Sequence, residues 1–157
     1  MTIVVPFDGS ELSEAALVRA TTLGDAFEER VLALTIVPEG DVQYARERDW
    51  LGPDEEFDVQ TIVGRLHERV AEMAPQADFW HETVGRYASS GTIASELRGA
   101  AKDADASLVA IGSDNAGHMV TSIHSVGSTV ASDESFDVLI VRCPVSAGSP
   151  VEELDGW

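Results

Sequence analysis

Lysine is nearly absent from this chain. Of ten basic residues only Lys102 is a lysine, and they face 28 aspartates and glutamates, for a formal net charge of −18. That balance excludes nucleic acid and anionic membrane surfaces as partners, because like charges repel along the approach. Cysteine is as scarce: Cys143 stands alone, so no internal disulfide can form. No apolar run nears the roughly 18 residues of a membrane-spanning helix. The opening "MTIVVPFDGS" carries no basic leader and no cleavage site. A soluble, cytoplasmic protein is the expectation.

Apolar residues are plentiful, at 44% of 157 residues, which fits one folded domain with a single core. The acidic surface has a cost, since self-repulsion opposes a compact state in dilute buffer. At about 1 M salt the Debye length falls to roughly 3 Å and the repulsion is screened. Two readings stay open: a halophilic protein adapted to a salt-rich cytoplasm, or an ordinary acidic one.

Hydrophobic spacing divides the chain. "TIVVPF" (2–7), "VLALTIV" (31–37), "ADFWHETV" (77–84), "SLVAIG" (107–112) and "DVLIV" (137–141) read as strands. The third alternates with polar residues and so belongs near a sheet edge. Between them, Leu12, Ala16, Ala20, Leu23 and Phe27 recur at helical spacing, as do Val59, Ile62, Val63, Leu66, Val70 and Met73. Ile93, Leu97, Ala100 and Ala104 mark a third helix, and a shorter one begins near Gly127-Ser128. Strands alternating with helices predict a parallel sheet in one doubly wound α/β domain over 1–145, helices on both faces, followed by an acidic tail at 146–157. Residues 38–56 form a long connection with two aromatics; such loops are lids, contact surfaces or disordered. No internal repeat is present.

The richest stretch for chemistry is "IGSDNAGHMVTSIHSVGSTVAS" (111–132). It nearly spells the phosphate loop G-x-x-x-x-G-K-[ST], but His118 and Met119 occupy the lysine and hydroxyl places. A second spacing survives: nine residues separate Gly117 from Gly127-Ser128 at a helix start. Glycines after a strand admit a ligand close to backbone, and helix-initial N–H groups attract anions. A glycine turn with a serine cap reads the same way. In doubly wound sheets ligands sit beyond the carboxyl ends of the strands, where the order reverses. For the order 3-2-1-4-5 that crevice lies between strands one and four, so "PFDGS" and "IGSDNAG" both face it. Asp8 there can accept from ribose hydroxyls or cap the first helix.

These stretches, with "VVPFDGSELSEAALVRA", "LVAIGS" and "GSTVASDESFDVLIVR", resemble the universal stress proteins over about residues 2–142. The resemblance implies a five-stranded parallel sheet of order 3-2-1-4-5, a homodimer, and in one branch an ATP site of form G-x2-G-x9-G-[ST]. By position, Pro6, Asp8 and Ile36 would border adenine and ribose. Ile111, Gly112, Gly117, Gly127, Ser128 and Thr129 would surround ribose and phosphates. The first interval holds four residues here rather than two, and includes Asp114, whose charge beside phosphates calls for Mg²⁺ or salt to offset it.

Other candidates point elsewhere. His118 and His124 lack a carboxylate partner or an i,i+4 helix spacing for a metal, and His67 and His81 lie far apart in sequence. Cys143 has no nearby histidine to activate it, Ser10 lacks a G-x-S-x-G setting, and Lys102 reads as solvated. No general base emerges. The expected function is regulatory ATP binding in the stress response, and the alternative is a nucleotide-free scaffold of the same fold. A third class, an enzyme of the wider adenine-nucleotide α/β group, would need a catalytic residue not found here. The strand "DVLIV" at a sheet edge would serve dimerisation.

Overall fold

The computed structural model describes residues 1–113 and 136–144. Within them the five apolar runs form strands: β1 (Thr2–Pro6), β2 (Arg30–Pro38), β3 (Asp78–Val84), β4 (Ala106–Gly112) and β5 (Asp137–Val141). All pair parallel, in the order β3-β2-β1-β4-β5. The central strands are buried on both faces, as their uninterrupted β-branched character requires. β3 and β5, the edge strands among those described, are more open.

The pleat sorts the core into two layers. Ile3, Val5, Ala33 and Val37 face α1 (Glu11–Phe27) and α3 (Val59–Met73), meeting Ala16, Leu17, Ala20, Ile62, Leu66 and Val70. Val4, Leu34, Val109 and Ile111 face the other way, toward Leu97, Ala100 and Ala101 of α4 (Ser90–Asp103). Each fully buried Val, Leu or Ile stabilises by about 1.5–3 kcal/mol over exposure. The doubly wound arrangement expected from the sequence is thus present.

Two details differ from expectation. Phe27, assigned to the inward stripe of the first helix, is 66% exposed. The buried stripe ends at Gly24, where a Cβ would stand 2.9 Å from the Glu29 carbonyl oxygen. The last turn runs on into solvent. The 38–56 connection, for its part, contains an additional helix, α2 (Val42–Glu47), and packs closely: Trp50 and Leu51 are buried within the α1/α3 layer. The shorter helix near Gly127 and the tail at 146–157 lie outside the described residues.

Candidate functional site

β1 ends in a way that fixes its carboxyl edge. The Phe7 N–H continues the ladder to β2, reaching the Leu34 carbonyl at 2.8 Å, while Pro6 before it has no N–H to donate. The buried Thr35 hydroxyl donates to the Phe7 carbonyl at 2.6 Å. Gly9 then turns the chain at φ +81°, a conformation in which glycine carries no steric penalty. Asp8 Oδ1 accepts the Ser10 N–H at 2.9 Å, while Ser10 Oγ accepts the Ser13 N–H at 3.2 Å. Ser10 is therefore the cap of α1, and Asp8 braces the turn before it. A carboxylate offers about four acceptor sites, so this bond is compatible with a further hydroxyl on Asp8.

The second wall comes from α2. Asp41 caps it, accepting the Tyr44 N–H at 3.0 Å. It ends in a Schellman motif: the Trp50 N–H returns to the Ala45 carbonyl at 2.9 Å, and the Asp49 N–H to Arg46 at 3.1 Å. Asp49 takes the left-handed turn, φ 58°, which aspartate tolerates better than most side chains. The reversal swings Trp50 inward, and its indole Nε1 donates to the Asp8 carbonyl at 2.7 Å. Tyr44 meets the Trp50 ring edge-on, with centroids 5.6 Å apart. On the residue between the helix and the turn, the Arg48 guanidinium lies 3.4 Å from the Tyr44 ring centroid. The third wall is the start of α4, capped by Ser89 accepting from the Thr92 N–H at 3.2 Å.

These walls enclose a cleft of about 280 Å³ over the carboxyl ends of β1 and β2. Pro6, Phe7, Leu34 and Ile36 form its floor, Ile93, Ala94 and Leu97 the α4 side, and Tyr44, Arg48 and Trp50 the α2 side, with Asp8 and Ser90 among the polar groups. The volume is near the lower end of the ~300–1,000 Å³ typical of small-molecule sites, as is the mix of apolar walls and a few polar groups. Burial raises the Tyr44 hydroxyl above its ordinary value of 10.0, against the opposing influence of Arg48, and Asp8 and Asp41 raise it further. The ring is therefore neutral at physiological pH. Behind the cleft, Arg65 clamps the α2 segment to α3, donating to Glu55 at 2.7 Å and to the Trp50 carbonyl at 3.0 Å. That guanidinium bond holds the exposed Glu55 carboxyl below its usual range.

The structure brings Pro6, Asp8 and Ile36 together on this cleft. Ile111 and Gly112 close β4, on the other side of β1; Ile111 joins the layer beneath the floor, and neither lines the cleft. Gly117, Gly127, Ser128 and Thr129 lie outside the described residues, as do Asp114, His118 and His124. His67 stacks on Phe79, with centroids 5.0 Å apart, and Lys102 and Cys143 are exposed. Among the described residues no cluster of three or more His, Cys, Asp or Glu could hold a metal, and no helix is long and apolar enough to cross a membrane. Tyr44, Arg48 and Trp50 were not anticipated as site residues. The signal for them was slight: two aromatics in a long connection, behind an aspartate placed to cap a helix.

A parallel sheet of this order, with helices on both faces and a cleft at the carboxyl ends of β1 and β2, defines a doubly wound α/β domain. Residues 1–142 match the universal stress protein family, and the chain belongs to it. Solved structures of similar fold include a universal stress protein in complex with cAMP, at 22% identity, covering 90% of this chain and 96% of that one with a TM-score of 0.52. A universal stress protein family member from Burkholderia pseudomallei (20%, 90% and 96%, 0.51) and a universal stress protein from Archaeoglobus fulgidus (14%, 90% and 93%, 0.54) are alike to the same degree. At these identities the likeness carries the fold. No curated protein matches the chain.

Proposed function

We propose that this protein is a cytoplasmic regulator of the stress response that binds an adenine nucleotide, ATP with Mg²⁺. The observation that carries the reading is the cleft joining Pro6, Asp8 and Ile36, the three residues the family pattern assigns to base and sugar. The residues present fit such a ligand: apolar walls for a purine, and a braced carboxylate for ribose. A family relative of the same fold in complex with cAMP supports the adenine assignment. Phosphates would extend past the end of β4 toward Gly117 and Gly127-Ser128-Thr129, where backbone N–H groups and the Ser128 hydroxyl would hold them. Occupancy would bias the arrangement of the 112–128 loop, and through it the surface offered to a second copy or a partner. That second copy would pair along β5, the edge strand of the sheet.

Calorimetric titration with Mg-ATP, in dilute buffer and in molar KCl, tests this directly. Binding near one per chain is expected, with Ser128→Ala weakening it by about 0.5–1.5 kcal/mol. Gly127→Val should abolish it by placing a branched side chain against the phosphates. Asp114→Asn should tighten it, more at low salt than at high. The four-residue Gly112–Gly117 interval and Asp114 favour a second reading, a nucleotide-free scaffold of the same fold. Absence of adenine nucleotide binding at either salt concentration establishes that scaffold reading instead.

A further inference from the structure

Arg48 is the arginine among the described residues lining the cleft, and like Arg19, Arg46, Arg86, Arg98 and Arg142 it holds no carboxylate there. Arg30, Arg65 and Arg69, by contrast, each hold one. The Arg48 hydrogen bond among those residues, from Nη1 to the Tyr44 carbonyl, is long at 3.4 Å. The guanidinium is nonetheless fixed in place. It lies on the Tyr44 ring, on a residue followed by the Schellman turn, and it lines the cleft together with Asp8 and Leu97. A planar fork is thus held in the wall of the cleft with most of its five N–H donors uncommitted.

A guanidinium only donates, so the ligand edge complementary to it consists of acceptors. The family-implied orientation sends phosphates past β4, away from α2, which leaves the base on the side of Arg48. A cleft of about 280 Å³ cannot hold a purine far from any of its walls. Adenine shows an arginine a single acceptor, N7, next to its 6-amino donor. A 6-oxopurine shows N7 and O6 together, the pair an arginine fork matches best. We propose that Arg48 is the base-selecting residue of this cleft, and that it makes the site accept 6-oxopurine nucleotides at least as well as adenine nucleotides. The inference rests on the nucleotide reading above and extends it from adenine to purines.

The test is calorimetric titration of the whole protein, in molar KCl, with ATP and with inosine triphosphate, which replaces the 6-amino group by an oxo group. The parent should bind inosine triphosphate as tightly as ATP or more so. Arg48→Gln should shift the ratio of the two affinities about ten-fold toward ATP, because a glutamine amide matches N6 and N7 of adenine. Arg48→Lys keeps the charge and can still donate to N7 and O6, so it should retain the parent's preference better than Arg48→Gln does. Circular dichroism of both variants should match the parent, since Arg48 is only half-buried. A parent that binds ATP but rejects inosine triphosphate ten-fold or more overturns this inference and leaves the nucleotide reading standing. So does an Arg48→Gln change that weakens both ligands equally. A parent that binds neither overturns both.

Discussion

Trp50→Phe probes whether the 38–56 segment is a structural part of the cleft or a loop resting on it. Trp50 is 4% exposed, and its indole N–H is the donor to the Asp8 carbonyl at 2.7 Å. Phenylalanine keeps an aromatic ring but removes that donor, and leaving a buried acceptor without its partner costs about 1–3 kcal/mol. Because Asp8 is only half-buried, water reclaims part of this, and the lower half of the range applies. The smaller ring fills less of the site and weakens the edge contact with Tyr44, adding roughly 1 kcal/mol. The sum is about 2–3 kcal/mol, or a fall in melting temperature of very roughly 5–10 °C for a domain of this size. Urea denaturation in molar KCl, where charge repulsion is screened, reads it as a lower midpoint with an unchanged slope. Trp80→Phe is the internal control, since Trp80 is 56% exposed and its indole N–H bonds to Glu82 at the surface, and its effect should stay within about 0.5 kcal/mol. Because the lost bond ends on Asp8, Trp50→Phe should also weaken nucleotide binding. A destabilisation no larger than that of Trp80→Phe would refute the reasoning, and α2 would then be an ornament of the surface.

Tyr44 gives a pH signature. Its folded value is raised above 10.0, so its contribution is fully present below about pH 10 and is lost as pH rises through the raised value. The parent should therefore lose stability above pH 10 more steeply than Tyr44→Phe, and parallel profiles for the two would contradict the burial of the hydroxyl. Salt should stabilise: with a net charge of −18, the melting temperature should climb from dilute buffer to molar KCl, and a flat or falling trend would remove the halophilic reading. Light scattering in molar KCl should give a dimer mass at micromolar concentration, and a monomer mass would remove β5 as an interface.

How much of this was legible in the sequence follows from the range of the forces involved. The strands showed themselves because a central parallel strand is apolar on both faces, and "VLALTIV" needs no partner to reveal that. The long helices showed themselves by their stripes, and the misplacement of Phe27 arose because periodicity does not say where a helix outruns the sheet beneath it. Strand ends and sheet order pointed to Asp8 and the segment around it, whereas Pro6 and Ile36 were reachable only through the family resemblance. The α2 wall was not, for three physical reasons. Six residues, Val42–Glu47, are too few to display a period. Its Schellman turn uses Asp49 where glycine is the usual marker, so the stop signal is missing. The bond that buries Trp50 joins residues 42 apart in sequence, and no local pattern encodes such a partner. Arg48 is the sharpest case. On a short polar helix an arginine reads as a solvated side chain, and its neighbours Arg46, Glu47 and Asp49 are all exposed. Only the turn that carries Trp50 into the core sets Arg48 against Tyr44 at the mouth of the cleft. The residue proposed to select the ligand thus owes its position to a hydrogen bond made by its second neighbour.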